Sequence, residues 1–489
     1  MKESPNAGAG TGPDAGQPQP DQATSELERI FESQRQAFAQ NRLPPARERI
    51  ENLKRLKKVL VENQDAIIAA IDTDFSCRAR DETLLAELLP SVEGIRYAAR
   101  RVKKWMRPAR RHVGILFQPA KARIIYQPLG VVGIVVPWNY PLYLAVGPLT
   151  GALAAGNRAI IKTSRNAPEF GRLFKKLMAE AFDEAHVAVI TTEESSGSAF
   201  VDKPWDHLLF TGSTATGRRV MAAAAEHLTP VTLELGGKSP AIISPEVPMT
   251  HAAERIAFGK QFNAGQTCVA PDYVLCPKER IEEFSEIFQK CVSAMYPTMA
   301  KNPQYTSIIS AGQYKRLTTL LTDAETQGAR VIPVNPTGES FAKTGKLPVY
   351  LILDANADMQ ILQEEIFGPL LPVVGYDSLA DAADYVNARP RPLALYYFDY
   401  NKKNIHFMLT RTHSGGVMVN DTLMHVAQDD LPFGGVGASG MGEYHSREGF
   451  LTFSKAKGVM IRPRFNSARL IYPPYGRRIH RLVYRLFIR

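Results

Sequence analysis

The chain has 489 residues, 45% of them hydrophobic, and its formal net charge is +10 because 59 Lys and Arg residues outnumber 49 Asp and Glu residues. This length exceeds the size at which a single hydrophobic core stops growing, so we expect two or three domains. The sequence shows neither a signal peptide nor an apolar run long enough to cross a membrane, which favours a cytoplasmic protein over a secreted or membrane-spanning one.

The basic excess lies in two segments, residues 96–112 and 462–489, and no nucleic-acid-binding signature accompanies them. We therefore expect no nucleic-acid partner. The four cysteines form no CxxC pair and have no histidine at zinc-ligand spacing, so neither a disulfide framework nor a metal site is predicted. They are Cys77, Cys268, Cys276 and Cys291.

The beginning of the chain divides into a leader and a helical region. Residues 1–22 contain almost no large apolar side chains and are predicted to be a disordered leader. From residue 25 to 106, apolar residues recur at steps of three and four, which predicts amphipathic helices.

Strand patterns begin at residues 122–126, and the apolar run at residues 130–136 is typical of a strand buried on both faces. Helices and strands then alternate, which predicts an α/β fold with mostly parallel sheet. The predicted helices cover residues 142–155, 169–182, 249–262, 279–294 and 311–327. The further predicted strands cover residues 158–162, 186–191, 207–211, 231–235, 273–276, 330–334, 370–376 and 452–459.

The motif Phe262-Asn-Ala-Gly-Gln-Thr-Cys268 places a cysteine after a glycine and small polar residues, which let the backbone approach a ligand closely. A lone cysteine is more often a small buried hydrophobe than a nucleophile. Taken alone, this motif leaves both interpretations open.

Glu234 lies in Leu233-Glu-Leu-Gly-Gly-Lys-Ser-Pro240, among apolar neighbours at the end of a predicted strand. Burial would raise the pKa of its carboxyl group towards the range of a general base. A structural acid held by an ion pair or hydrogen bond is the alternative.

Two further loops follow predicted strands. In Pro137-Trp-Asn-Tyr-Pro141, two prolines stiffen a loop from which the Asn139 amide could donate to an oxyanion. In Phe210-Thr-Gly-Ser-Thr-Ala-Thr-Gly217, a glycine-bounded strand-to-helix junction offers N–H groups suited to a pyrophosphate.

These four motifs, together with EEIFGP at residues 364–369 and LPFGGVGASG at residues 431–440, resemble the aldehyde dehydrogenase superfamily in motif and in order. The class 3 branch, and within it the coniferyl aldehyde dehydrogenases, is the most similar group. The stretches that carry this finer likeness are residues 263–273, 420–426 and 472–475.

The resemblance implies an aldehyde dehydrogenase-like α/β fold with a Rossmann-type cofactor domain, an α/β catalytic domain and a small β arm for oligomerisation. The predicted divisions are a leader at 1–22, a cofactor domain at 23–233 with an arm strand near 119–128, a catalytic domain at 234–415, a return to the cofactor domain at 416–450, an oligomerisation strand at 451–465 and a basic amphipathic tail at 466–489.

The resemblance also implies the chemistry: NAD(P)-dependent oxidation of an aldehyde to its carboxylic acid through a thiohemiacetal and a thioester. Cys268 is the implied nucleophile, Asn139 the oxyanion donor and Glu234 the base that activates water. A coenzyme A-acylating variant is the enzymatic alternative, and the presence of Glu234 argues against it.

By the same resemblance, NAD or NADP is the cofactor, and its contacts carry over position by position. They are Trp138, Lys162, Arg165, Gly212, Ser213, Gly217, Glu365 and Phe367.

The sequence departs from the family pattern at the adenosine end of the cofactor. Lys162-Thr-Ser-Arg165 has a cation where the family commonly has a glutamate for the ribose hydroxyls, so we expect NADP to be used at least as well as NAD. Thr191 and Thr192 replace a usual Gly-Gly pair and narrow that pocket. A membrane-associated protein of this fold with impaired cofactor binding and no dehydrogenase role is therefore the alternative function.

By the same resemblance, Tyr140, His425 and Phe433 are predicted to line a tunnel for a coniferyl-like aromatic or a medium to long aliphatic aldehyde. Core packing explains each of these residues equally well. For His425, a hydrogen-bonded structural role is favoured. The resemblance favours a homodimer. The basic helix at residues 477–489 predicts contact either with an anionic inner membrane surface or with a partner subunit.

Overall fold

A computed structural model describes residues 20–488, with side chains from residue 26 except at 467 and 469. Most of the predicted leader lies outside these residues. Its last three positions do not fit the prediction, because residues 20–22 already belong to the first helix.

Helices surround the sheets and open the described chain. They are α1 Pro20–Gln40, α2 Ala46–Glu62, α3 Gln64–Phe75, α4 Arg80–Thr83, α5 Leu89–Trp105, α6 Tyr143–Ala155, α7 Pro168–Ala181, α8 Gly197–Val201, α9 Thr214–Glu226, α10 Met249–Gln261, α11 Ile281–Met295, α12 Ala311–Thr326, α13 Gln360–Gln363, α14 Leu379–Asn387, α15 Lys402–Arg411, α16 Ser446–Thr452 and α17 Arg478–Phe487. A π-helical turn, Leu84–Leu88, joins α4 to α5.

The strands form three sheets within the described residues. They are β1 Ala109–Arg111, β2 Lys121–Pro128, β3 Val131–Val135, β4 Arg158–Lys162, β5 Val187–Ile190, β6 His207–Thr211, β7 Val231–Glu234, β8 Pro240–Ile243, β9 Tyr273–Pro277, β10 Arg330–Val334, β11 Val349–Leu353, β12 Leu370–Tyr376, β13 Ala394–Phe398, β14 Gly416–Val419, β15 Gly440–Met441 and β16 Ser454–Ile461.

The six-stranded sheet has the order β15-β7-β6-β3-β4-β5, and its strands are parallel except for β15. The predicted apolar run forms β3, which pairs on both sides and packs into the core, as its lack of polar alternation indicated. The carboxyl ends of β3, β6 and β7 lie along one edge, where open α/β sheets bind their ligands.

The seven-stranded sheet has the order β10-β11-β12-β9-β8-β13-β14 and is parallel except for β10. Most of its strands are buried on both faces by α10, α11 and α12 and by the other helices around it. The sequence prediction missed β8, β11, β13 and β14. These are short apolar runs of four or five residues, for which periodicity gives no signal.

The third sheet is a short antiparallel ribbon in which β2 lies between β1 and β16. The two segments predicted for the arm therefore pair with each other, from Lys121 opposite Ile461 to Pro128 opposite Ser454. The second strand begins later than predicted, since Thr452 still ends α16. That this ribbon joins protomers remains a prediction.

The basic tail contains a helix, α17, close to the predicted span. Leu482, Leu486 and Phe487 are exposed on it, as are its arginines. Within residues 20–488, no helix is both long enough and apolar enough to span a bilayer.

Candidate active site

Cys268 follows a tight turn that the small residues of its motif make possible. Asn263, Ala264 and Gly265 all have positive φ values, of 53°, 50° and 70°. A Cβ atom at Gly265 would lie 2.4 Å from the Gly368 carbonyl oxygen, so this position requires glycine. The turn directs the chain from the end of α10 back into the molecule and ends at the cysteine.

Cys268 is partly buried and lines two different cavities. The first, of about 470 Å³, is mostly apolar; its walls include Leu85, Leu89, Tyr140, Phe258, Phe262, Leu423 and Phe433. The second, of about 540 Å³, is lined by Trp138, Asn139, Gly212, Ser213, Glu234, Glu365 and Phe367, among others. The thiol can therefore contact a ligand on either side.

The environment of Cys268 favours the neutral thiol. Burial, followed by the nearby Glu365 and Glu234 carboxyl groups, raises the pKa of this thiol to about 12. A thiolate at neutral pH therefore requires that negative charge near the sulfur be neutralised or that its proton be transferred to a neighbouring base.

Glu234 ends β7, and its backbone is held by pairing with β6 on one side and β15 on the other. Its side chain is buried, and neither carboxyl oxygen has a hydrogen-bond partner in the described chain. Burial, reinforced by Glu443, raises the pKa of Glu234 well above its usual value. An unpartnered buried acid facing a cavity is suited to proton transfer rather than to stabilising the fold.

Asn139 lies in the loop after β3 and is buried. Its side-chain Nδ2 donates to the Gln266 carbonyl oxygen at 3.2 Å, next to the nucleophile motif. The Tyr140 hydroxyl and the Thr267 Oγ1 are 2.6 Å apart, which ties the same two segments together again. The predicted oxyanion donor is therefore fixed beside Cys268.

Five of the predicted cofactor residues line the second cavity: Trp138, Gly212, Ser213, Glu365 and Phe367. Trp138 and Phe367 pack edge to face, with ring centroids 5.3 Å apart. The Ser213 side chain caps the first turn of α9 by accepting from the Thr216 N–H. The N-terminus of α9 thus opens into this cavity.

The Glu365 carboxyl group lies deep in the second cavity. Burial, with Asp272 as the next cause, raises its pKa to about 8. Its Oε1 atom is buried and has no hydrogen-bond partner among the described residues. This oxygen is free to accept a hydrogen bond from a ligand hydroxyl.

The other three predicted cofactor residues do not line the cavity. Lys162 is buried and donates to the Thr163 carbonyl and to the Thr192 Oγ1, each at 3.3 Å, and burial lowers its pKa to about 8. Arg165 is exposed after β4. Gly217 is buried in α9, where a Cβ would lie 2.6 Å from Leu235, so it serves close helix–sheet packing.

Tyr140 and Phe433, two predicted substrate residues, line the apolar cavity. His425 does not. The prediction that His425 is hydrogen-bonded was also wrong, since neither ring nitrogen has a partner in the described chain; the ring packs against Tyr396 instead, and burial lowers its pKa to about 4.

Sequence reasoning missed Gln313 and Arg316, which line the second cavity from α12. Arg316 donates to the Glu365 and Ile366 carbonyl oxygens and so holds the segment that carries Glu365. In the sequence, these two residues are recognisable only as part of the polar face of an amphipathic helix, which lies far from every motif. The described residues contain no group of three or more His, Cys, Asp or Glu that could hold a metal ion, and all four cysteines are free.

Cys268 lies between an apolar cavity and a cavity at the carboxyl ends of parallel strands, and a buried acid and an amide donor lie beside it. This arrangement is typical of oxidoreductases that use a thiol nucleophile and a nicotinamide dinucleotide.

Comparison with known proteins agrees. The family profile named "Aldehyde dehydrogenase family" matches residues 16–459. A probable coniferyl aldehyde dehydrogenase of Pseudomonas aeruginosa is 59% identical, over 96% of this chain and 98% of that protein. The coniferyl aldehyde dehydrogenase of Pseudomonas sp. strain HR199 is 46% identical, over 89% and 91%.

Among solved structures, Staphylococcus aureus AldH in a substrate-bound state matches with a TM-score of 0.88 and 36% identity, covering 95% of this chain and 99% of that one. The chain belongs to the aldehyde dehydrogenase family, whose members oxidise aldehydes with NAD or NADP. These relatives are named as enzymes, so they give no support to a non-enzymatic, membrane-associated function.

Proposed function

We propose that this enzyme oxidises a coniferyl-like aromatic or a medium to long aliphatic aldehyde to its carboxylic acid, with Cys268 as nucleophile. The observation that carries the proposal is the position of Cys268 between two cavities, one apolar and one lined by the predicted cofactor residues. The names of the two Pseudomonas relatives support the aromatic substrate.

The first half-reaction forms a carbon–sulfur bond. The Cys268 thiol loses its proton to solvent and the sulfur attacks the aldehyde carbon. The carbonyl oxygen becomes an oxyanion that accepts from the free N–H of the Asn139 amide and from the backbone N–H of Cys268. The residues that line the second cavity would hold NAD or NADP, which would supply the acceptor for the hydride that the same carbon releases. Loss of this hydride converts the carbon–sulfur adduct into a thioester.

The second half-reaction breaks that bond. Glu234 removes a proton from a water molecule, which attacks the thioester carbon; the carboxylic acid leaves and the Cys268 sulfur takes back a proton. The raised pKa of Glu234 suits this step, because a general base works best when its pKa lies near the working pH.

The residues of the second cavity fit a dinucleotide. The first turn of α9 offers backbone N–H groups to a pyrophosphate, and the buried, unpartnered Oε1 of Glu365 would accept from a ribose hydroxyl. At the far end, Arg165 is exposed and carries the charge that a 2′-phosphate requires, so we propose that NADP binds at least as well as NAD.

Reduction of the nicotinamide can be followed by its near-ultraviolet absorbance with coniferaldehyde or hexanal and either NAD or NADP. We expect absorbance to rise with the wild-type protein and not with Cys268→Ala. A folded wild-type protein that reduces neither cofactor with any of these aldehydes would refute the proposal.

We also propose a homodimer joined through the β1-β2-β16 ribbon. Met460 and Ile461 are both about half exposed on β16, the outer strand of this ribbon. Replacing both by glutamate should shift the sedimentation coefficient from that of a dimer to that of a monomer. An unchanged coefficient would exclude this surface.

A further proposal concerns the tail. The exposed apolar residues of α17 lie on the helix face opposite the arginines at 478, 481 and 485, an arrangement typical of helices that lie on anionic membranes. Vesicles containing phosphatidylserine should co-sediment the full chain but not a chain that lacks residues 477–489. Equal co-sedimentation of both would refute this contact.

A further inference from the structure

Arg78 lies in the short loop between α3 and α4, and its side chain is 0% exposed. We infer that Arg78 is a positioning residue that holds the Asn139 amide in place for the oxyanion; this inference rests on the proposed function.

Two contacts connect Arg78 to the loop after β3. Its Nη1 atom donates to the Asn139 carbonyl oxygen at 2.8 Å and lies 3.1 Å from the Glu87 Oε1. The guanidinium also lies over the rings of Phe75 and Tyr140, 4.9 and 4.8 Å from their centroids. The Arg78 cation therefore contacts two consecutive residues of this loop, Asn139 and Tyr140.

Glu87 connects Arg78 to the end of the same loop. Its Oε2 atom accepts from the Leu142 N–H at 2.7 Å and the Tyr143 N–H at 3.2 Å, where α6 begins. Glu87 belongs to the π-helical turn Leu84–Leu88, a distortion that often marks functional sites. The Arg78–Glu87 pair thus holds the loop both at Asn139 and where it enters α6.

The nucleophile motif holds Asn139 from the other side. The Asn263 Nδ2 donates to the Asn139 carbonyl at 3.2 Å, and the Asn139 Nδ2 donates to the Gln266 carbonyl, also at 3.2 Å. A side-chain amide has two N–H donors, so one remains for the substrate oxygen. Its direction is set by the backbone that Arg78 anchors.

Stability alone does not account for this pair. The Nε and Nη2 atoms of Arg78 are buried and have no hydrogen-bond partner among the described residues. A buried ion pair with unsatisfied donors is often no more stabilising than well-packed apolar residues of the same size. What an apolar pair could not supply is the hydrogen bond to the Asn139 carbonyl.

The test replaces both charges at once, as Arg78→Met with Glu87→Gln, so that Glu87 is not left without its partner cation. We expect kcat to fall by about 10- to 100-fold, as for a displaced catalytic group, with little change in the KM for NAD or NADP. In an Asn139→Ala background, the same two substitutions should cause less than about a threefold further loss, because the group that they displace is absent. The active sites are counted by alkylation of Cys268, and kcat is expressed per active site, so that unfolded protein does not lower the value.

The matched control is Arg80→Met with Asp65→Asn, which removes an exposed arginine–carboxylate pair beside the loop between α3 and α4. This control should leave kcat unchanged. If the double variant does not fold, Arg78→Lys replaces it, since the ammonium keeps the charge but has no donor at the position of Nη1, which contacts both the Asn139 carbonyl and the Glu87 carboxylate. For either variant, an unchanged kcat, or an equal loss with and without Asn139, would overturn the inference. A wild-type enzyme without activity would instead refute the proposed function, and the inference with it.

Discussion

The proposed site has two ends that differ in construction. Around Cys268, the polar side chains of Asn139 and Glu234 are buried and their backbones are fixed by strands or by hydrogen bonds to neighbouring loops. At the proposed adenosine end, Arg165 is exposed and lies outside the cavity lining, and Lys162 contacts Thr192. The proposed function thus places the chemistry on rigid elements and cofactor choice on surface side chains that can change without affecting the core.

The strongest test of the rigid end is Cys268→Ala. We expect aldehyde oxidation to fall by about 10³-fold or more, because no other group near both cavities can form the thioester. Steady-state reduction of NAD or NADP measures the loss. The matched control is Cys291→Ala, which changes a cysteine in α11 that lines neither cavity and should retain full activity.

Glu234→Gln keeps the size of the side chain and removes the base. We expect kcat to fall by about 10²- to 10³-fold, with a rapid initial burst of reduced cofactor, because the thioester still forms and its hydrolysis becomes slow. Stopped-flow absorbance resolves the burst. A slow reaction without a burst would show that Glu234 acts before the hydride leaves.

The pH dependence of the folding stability should report the protonation of Glu234, which lies beside Cys268. Its pKa in the folded protein lies above the ordinary value of 4.5, so between these two pH values the folded protein retains a proton that the unfolded chain releases. The contribution of Glu234 to stability is therefore fully present below pH 4.5 and is lost as the pH rises through the folded-state pKa.

Calorimetry can check this sign. The Tm of the wild-type protein should fall more than that of Glu234→Gln as the pH rises from about 5 to 9, by a few degrees. Parallel pH profiles for the two proteins would contradict the raised pKa. The wild-type kcat should rise over the same range, because only the deprotonated carboxylate can accept a proton from water.

The smallest effect is expected at the exposed end. Arg165→Glu restores the acid that relatives commonly carry and should shift the NADP-to-NAD ratio of kcat/KM by about tenfold towards NAD, with kcat for NAD unchanged. Lys176→Glu, the same charge reversal on the exposed side of α7, is the control and should not alter the ratio. An equal shift in both variants would point to overall charge rather than to a contact.

The sequence predicted the positions of the residues around Cys268 better than it predicted which other residues line the cavities. Cys268, Glu234 and Asn139 sit in motifs whose glycines and prolines are needed by the local backbone, so their positions could be read from the sequence. Gly217 matched a binding motif but packs against Leu235, since a sequence pattern does not distinguish close packing from ligand contact. The family resemblance predicts His425 as a tunnel wall residue, yet its ring packs against Tyr396 and does not line the apolar cavity.

The contacts that hold the site were not predictable at all. Arg78, in a loop, and Glu87 and Arg316, in helical segments, belong to no recognisable motif, and their partners are backbone carbonyl or N–H groups more than 40 positions away. Whether such hydrogen bonds form depends on how the helices pack together, which the sequence of one helix does not show. The short buried strands β8 and β13 were also missed, because apolar runs of four or five residues give no periodicity signal.

The shared position of Cys268 has a consequence for the order of events in a catalytic cycle. The two cavities have Cys268 and Phe433 in common but otherwise different walls. In the proposed function, an acyl group attached to the sulfur would occupy the apolar side and leave the walls of the other cavity uncovered. Reduced NAD or NADP could then leave before the acid does, which would clear space beside Glu234 for the attacking water.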